Sequence, residues 1–173
     1  FKDNTGYINK LPIEFQGYVQ LLEEGQDIDI TFENPESSFK NFLALIPETY
    51  SKSIENVQTT GDFKVKGIIK GKVTEETIPT LDINIVSNNA SFKYPDLPKK
   101  VEDIVINMAI KNTTGKADDT YVDIQALNFK IDEDVFKSAI KINNLTGNMF
   151  VNAIANGVIN LGNLTKAYPL DLD

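Results

Sequence analysis

Two runs in which apolar and polar residues alternate, joined by a proline-rich corner, constrain the fold of this chain more than any other feature. The apolar positions are Leu81, Ile83 and Ile85 before the corner and Ile104, Ile106, Met108 and Ile110 after it. A period of two places one set of side chains on one face of a β-strand. The corner covers residues 92–98 and contains two prolines, each of which fixes φ and removes a backbone donor. The sequence therefore predicts two strands with apolar faces and a break in the chain between them.

The same period recurs along most of the chain. Further strand patterns cover residues 13–21, 28–32, 63–73, 121–131, 135–142 and 149–161. In the last of these, Phe150, Val151, Ile154 and Ala155 could instead form a helical turn, against which two asparagines and a glycine argue. Gly25 is the expected positive-φ residue of the turn between the first two runs. In the run at 121–131 the apolar phase slips by one residue, which predicts a β-bulge near Ala126. Many runs reach about ten residues, roughly twice the usual strand length, so we expect an elongated antiparallel sheet rather than a compact globule.

The run at 63–73 carries glycines on its apolar side and lysines on its polar side. Gly67 and Gly71 leave room there for a bulge, a bend or a large neighbouring side chain. The lysines are Lys64, Lys66, Lys70 and Lys72. They have two interpretations: contact with lipid phosphates, or a charged surface that keeps the sheet soluble.

One segment shows convincing helical periodicity. Phe39, Phe42, Leu43 and Ile46 are spaced at i, i+3, i+4 and i+7, and a serine at 37 or 38 can cap the helix. Pro47 ends this helix and can open a second short one, because proline is tolerated at a first helical position. We expect a short helical segment near residues 37–54, whose apolar side plugs one end of the sheet.

The composition excludes several kinds of chemistry. The chain has no His, Cys or Trp, and all 17 basic residues are Lys. Without His or Cys there is no imidazole base, no Ser-His or Cys-His pair and no zinc site built from nitrogen and sulfur ligands. A net charge of -8 and the lack of Arg argue against nucleic acid as a partner. We expect no enzymatic activity, no catalytic residues and no cofactor.

The acidic runs at 118–119 and 132–134 have two interpretations. Carboxylates are the ligands that Ca²⁺ prefers, but neither run has the spacing of an EF-hand loop. Both runs lie at expected turns, where charged side chains are normally solvated. We therefore expect no metal site.

Length and termini indicate one domain from a longer protein. The 173 residues suit a single β-rich domain over residues 1–173. No apolar run approaches the roughly 20 residues of a membrane-spanning helix. Because the chain does not begin with Met, we expect it to be a fragment whose anchoring segments lie elsewhere.

Several short motifs, in this order along the chain, carry a family resemblance. They are 38–47 (Ser38-Phe39 through Leu45-Ile46-Pro47), 61–67 (Gly61-Asp62-Phe63-Lys64-Val65-Lys66-Gly67), 90–98 (Ala90-Ser91-Phe92-Lys93-Tyr94-Pro95-Asp96-Leu97-Pro98), 101–104 (Val101-Glu102-Asp103-Ile104) and 157–161 (Gly157-Val158-Ile159-Asn160-Leu161). With them the chain resembles the AsmA-like family of bacterial envelope proteins, in particular its C-terminal region. The likeness covers most of residues 11–172.

The resemblance implies a long, curved antiparallel sheet that forms a groove, as in bridge-like lipid-transfer proteins. It implies a periplasmic protein of the cell envelope, with a parent chain anchored in the inner membrane. The implied role is outer-membrane assembly or phospholipid transport, with phospholipid or another envelope lipid as a partner. No catalytic residues come with this family.

The apolar residues near the corner are the candidate lipid-facing or core positions. They are Phe63, Val65, Ile69, Leu81, Ile83, Ile85, Ile104, Ile106, Met108 and Ile110. Their surface is either an ordinary core, covered by a second sheet or the helix, or a trough for acyl chains. The alternative function is a compact β-sandwich that binds carbohydrate or an adhesion partner, although the lack of Trp removes one common sugar platform.

Overall fold

A computed structural model describes residues 2–8, 11–35, 38–43, 57–93 and 99–158. Within these ranges the strands are β1 (Asn4–Ile8), β2 (Leu11–Leu21), β3 (Gln26–Glu33), β4 (Gln58–Thr60), β5 (Lys64–Val73), β6 (Thr80–Lys93), β7 (Val101–Asn112), β8 (Tyr121–Ile131), β9 (Asp134–Asn143) and β10 (Phe150–Gly157). A short helix, α1 (Lys40–Leu43), lies between β3 and β4, and a 3-10 turn, Ala117–Asp119, lies between β7 and β8.

The ten strands form one antiparallel sheet. Its order is β1-β2-β3-β5-β6-β7-β8-β9-β10, and β4 pairs with the far end of β6, in line with β5. Among the described strands the sheet is open, with β1 and β10 as its edges. The prediction of a mainly β fold built on a long antiparallel sheet is thus confirmed. The described strands do not form the two packed sheets of the sandwich alternative.

The strands are long, as their alternation predicts. β6 has 14 residues and β7 has 12, and they pair directly on either side of the proline corner. At about 3.3 Å per residue, β6 extends for roughly 45 Å. Residues 94–98 of the corner itself lie outside the described part of the chain.

Two local predictions are confirmed. Gly25 has φ +95° in the turn between β2 and β3, and its carbonyl accepts a hydrogen bond from Leu22 N–H at 3.1 Å. The pairing of β8 with β9 shifts between Ile124 and Leu127, so a bulge lies at the predicted phase slip. The bulge returns Leu127 to the face that Ile124 occupies, because an extra residue cancels the inversion.

A second bulge, in β6, was not predicted. The pairing of β6 with β7 shifts between Ser87 and Ala90. The Asp62 carboxylate accepts hydrogen bonds there from Asn88 N–H (3.0 Å), Asn88 Nδ2 (3.1 Å) and Asn89 N–H (3.2 Å). These bonds, that from Asn88 N–H above all, hold the pKa of Asp62 below its ordinary value of 3.8. Asp62 thereby satisfies backbone donors that a bulge removes from the ladder.

Other elements differ in extent from the sequence prediction. β1 was not predicted, because Asn4 to Ile8 has little alternation. Of the helical segment expected near 37–54, the structure describes α1, and residues 44–54 lie outside the described ranges. The final strand was expected at 149–161; β10 covers Phe150–Gly157, and 159–161 are likewise not described.

Candidate functional site

One face of the sheet is apolar across most of its width. Residues that pair directly in an antiparallel ladder point to the same side, so the register defines rows of side chains. One row consists of Phe15, Phe32, Gly67, Ile83, Ile110, Val122, Ile142 and Val151. The next row consists of Val65, Ile85, Met108, Ile124, Ile140 and Ala153. We call the surface formed by these rows, and by residues in phase with them, the apolar face.

The apolar face is wide enough to hold an extended chain across the strands. The first row crosses eight strands, from β2 to β10, without a charged side chain. At about 4.8 Å between neighbouring strands, this row extends for roughly 34 Å.

At one end the apolar face is buried, and we call this part the closed end. Its buried side chains are Leu11, Ile13, Phe39, Phe63, Val65, Ile85, Ala90, Ile104 and Ile106. Phe63 and Leu11 are completely inaccessible to solvent. The closed end is therefore an ordinary hydrophobic core, and its side chains come mainly from β2, β5, β6 and β7.

At the other end the apolar face is accessible to solvent, and we call this part the open end. It lies towards the turn between β2 and β3. Leu21 is 77% exposed and Val151 is 53% exposed, at opposite sides of the sheet. The side chains between them are half-buried: Ile28, Ile30, Ile69, Leu81, Ile110, Val122 and Ile142. Every described strand lies within the sheet, so none of them forms a second layer over the open end.

The ten candidate residues near the corner are divided between these two environments. Phe63, Val65, Ile85, Ile104 and Ile106 belong to the buried core, and Ile83 and Met108 pack against it. Ile69, Leu81 and Ile110 lie at the open end and are half-buried. A lipid-facing role for any of them stays a prediction, and the last three are the positions where a ligand has access.

Aromatic side chains from the helical segment cover part of the closed end. The Phe39 and Phe42 rings stack with centroids 5.2 Å apart, and Phe42 meets the Phe63 ring edge-on at 5.6 Å. Phe39 is 2% exposed, whereas Phe42 is half-buried. Leu43 belongs to α1, but its side chain is not described, and Ile46 lies outside the described residues. A role for these side chains as the plug of a groove stays a prediction.

The opposite face of the sheet is polar and carries paired charges. Lys70 Nζ lies 2.6 Å from Asp29 Oδ2, and Lys64 Nζ lies 3.1 Å from Glu33 Oε2. A depression of about 660 Å³ on this side has polar and charged lining residues, among them Glu14, Glu33, Lys66 and Asp82. Such a lining suits water and ions rather than an acyl chain. The lysine pairings favour a solvated surface over a phosphate-binding one.

Sequence analysis missed a buried asparagine that connects two strands. Asn34 Oδ1 accepts a hydrogen bond from Val65 N–H at 2.7 Å, and its Nδ2 donates to Phe63 O at 3.1 Å. Asn34 is 4% exposed. In the sequence, Asn34 stands before Pro35 at the end of a strand pattern, which is typical of a turn. This pattern does not indicate which residues the Asn34 side chain binds.

Asn112 is a second buried polar residue, and it is 1% exposed. Its Nδ2 donates to Lys116 O at 2.6 Å and Thr120 Oγ1 at 2.8 Å. Its Oδ1 accepts from Gly115 N–H at 2.8 Å. The side chain thus holds the β7–β8 connection, which borders the open end.

Most of the acidic side chains lie at the surface, but Asp134, which was expected to be solvated, is only 7% exposed. Asp118 accepts a hydrogen bond from Thr146, Asp119 accepts one from Thr114 at 2.7 Å, and Asp132 pairs with Lys99. Among the described residues no three acidic side chains group in a way that would hold a metal ion. The candidate binding surface is therefore the open end of the apolar face.

Comparison with known proteins gives no relative. No protein-family model, curated protein or solved structure matches the chain. In the described ranges no helix is long and apolar enough to span a membrane.

Proposed function

We propose that this chain is a non-enzymatic groove module of the bacterial cell envelope that holds lipid acyl chains on the open end of its apolar face. The process would be outer-membrane assembly or phospholipid transport in the periplasm, with the parent chain anchored in the inner membrane. The AsmA-like motifs support the envelope setting. The observation that supports lipid binding is the uncharged row of half-buried and exposed side chains at the open end, over which no described strand forms a second layer.

The energetics favour an apolar ligand on this surface. Removing apolar surface from water is favourable by about 25 cal/mol of free energy for every Å². Contiguous exposed apolar patches are rare on soluble monomers and usually mark interaction sites. An acyl chain laid along the row at Ile110, Val122 and Ile142 would cover side chains that are half-buried now.

The division into two ends also explains where the ligand would bind. At the closed end Phe39, Phe42 and Phe63 already occupy the space above the sheet. At the open end no described element does. The closed end would supply the stability that an open, single-layer sheet needs, and the open end would supply the binding surface.

Two neighbouring isoleucines in β5 allow a matched test. Ile69 pairs with Ile30 and Leu81 on the apolar face, whereas Ile68 pairs with Thr31 and Asp82 on the polar face. Ile69→Glu places a charge on the proposed binding surface, and Ile68→Glu is the control in the same strand. Ile106 is unsuitable for this test because it is 6% exposed within the core, where a charge would unfold the protein.

The readout is native mass spectrometry of protein purified from bacterial cells. Wild type and Ile68→Glu should carry phospholipid, and folded Ile69→Glu should carry little. Circular dichroism and thermal melting establish that both variants fold. Lipid-free wild type, or equal lipid on both variants, would overturn the proposal; glycan binding by lipid-free wild type would favour the carbohydrate alternative.

A further inference from the structure

The edge strand β10 lacks the features that normally protect an edge. No charged residue occurs between Lys141 and Lys166, although 24% of the chain is charged. All eight residues of β10 are exposed, including Phe150 at 64% and Ile154 at 64%. Edge strands usually carry charges, proline or a bulge that blocks pairing. β10 has none of these: Val151, Ala153 and Ala155 lie on one face, and Phe150 and Ile154 alternate with two uncharged asparagines on the other.

The backbone groups of β10 that have no partner among the described strands can be assigned from its ladder with β9. Val158 N–H donates to Val135 O, and these residues stand opposite each other in the register. Antiparallel pairs alternate between hydrogen-bonded and non-hydrogen-bonded, so even-numbered residues of β10 bond to β9. The odd-numbered residues Val151, Ala153 and Ala155 therefore direct N–H and C=O groups away from the sheet.

The opposite edge of the sheet differs. β1 has five residues and follows Lys2 and Asp3 directly. It is short and flanked by charge, as protected edges are. The two edges are therefore not equivalent: β1 is short and flanked by charged residues, whereas β10 is longer and uncharged.

We propose that β10 pairs with β10 of a second copy of this chain, antiparallel about a twofold axis, to form one continuous sheet. The side chains favour one register, with Asn152 opposite Asn152 of the second copy. Phe150 of each copy then lies opposite Ile154 of the other, which is a favourable aromatic and β-branched pair. In the same register, the outward N–H and C=O groups of Val151 in one copy face those of Ala153 in the other, so that they can form hydrogen bonds.

Charge supports a second copy as the occupant. At a net charge of -8 two copies repel each other over most of their surface. β10 itself carries no charged side chain, so pairing at this edge places no like charges directly opposite each other, and Lys137 and Lys141 of β9 lie one strand away. A twofold axis perpendicular to the sheet also keeps both apolar faces on the same side.

The expected dimer is weak. Pairing of one eight-residue edge buries less than the roughly 1,200 Å² of a standard interface. We therefore expect a concentration-dependent equilibrium rather than a permanent dimer, and covalent trapping is the suitable measurement.

The first experiment uses the absence of cysteine. In the proposed register Asn152 meets itself in a non-hydrogen-bonded pair, with Cα atoms about 4.5 Å apart, a distance that a disulfide can bridge. Asn152→Cys should form a disulfide dimer rapidly under mild oxidation. Asn156→Cys is the control: it is exposed on the same face of the same strand, but would lie roughly 26 Å from its counterpart.

The second experiment measures the unmodified equilibrium by sedimentation velocity over a range of concentrations. Ile154→Lys should weaken dimerisation about tenfold, because it replaces two cross-strand pairs. Val135→Lys, an exposed position on β9 that faces the same side, should leave it unchanged. A wild type that stays monomeric, or Asn156→Cys that cross-links as fast as Asn152→Cys, would overturn the proposal. Neither readout depends on lipid, so this test stands apart from that of the proposed function.

Discussion

Gly67 lies directly beneath the ring of Phe32, its pairing partner across β3 and β5. A Cβ atom placed on Gly67 would lie 2.5 Å from Phe32 Cζ and 3.1 Å from Ile83 Cγ1. Of the three roles that the sequence allowed for Gly67, the structure shows room for a large neighbour. The glycine lets Phe32 lie flat against the middle of the apolar face.

Gly67→Ala should destabilise the protein by about 1–3 kcal/mol, because the added methyl group displaces the Phe32 ring. Urea denaturation measures the loss. The control is the same substitution in a Phe32→Ala background, where the methyl group has space. An equal loss in both backgrounds would show that the ring is not the cause.

Phe39→Ala should cost about 3–5 kcal/mol, the range for a fully buried phenylalanine. Phe42→Ala should cost less, since its ring is half-buried and retains contact with water. Urea denaturation of the two variants side by side shows which one loses more free energy of unfolding. A larger loss for Phe42→Ala would mean that the helical segment covers the core differently.

The stabilising effect of Asp62 should depend on pH. Its pKa in the folded protein is lowered by hydrogen bonds, so its contribution is present above the unfolded pKa of about 4 and is lost as pH falls through the folded value. Asp62→Asn should therefore destabilise the protein at pH 7, and the difference from wild type should shrink towards pH 2. Urea midpoints across this range provide the measurement. A constant difference would contradict a charge-dependent role.

Asn34→Asp should destabilise the protein strongly, although the two side chains have nearly the same size. The variant keeps an acceptor for Val65 N–H but places a carboxylate oxygen against Phe63 O, where an amide N–H now donates. Leaving buried groups unsatisfied costs about 1–3 kcal/mol, and more when one is charged. We expect the loss at pH 7 to diminish in acid, where the carboxyl group can donate. Denaturation of Asn34→Asp and Asn34→Ala at both pH values distinguishes charge from loss of the side chain.

The sequence by itself determined most of the long strands and, within each regular run, which side chains share a face. The alternation at Leu81, Ile83 and Ile85 requires no knowledge of neighbouring strands, because period two is a property of the extended backbone. The turn at Gly25 and the bulge near Ala126 are local in the same sense, since one depends on φ and the other on a slip of phase.

Only the tertiary structure decided which part of the apolar face is core and which is open. Phe63 and Ile110 belong to equally regular patterns, yet Phe63 is fully buried and Ile110 is not. Burial depends on what lies above a residue, and Phe42 reaches Phe63 from 21 positions away in sequence. The hydrogen bond between Asn34 and Val65 spans 31 positions, and β10 becomes an edge through the order of the whole sheet. Such relationships arise from long-range pairing, which no local period encodes.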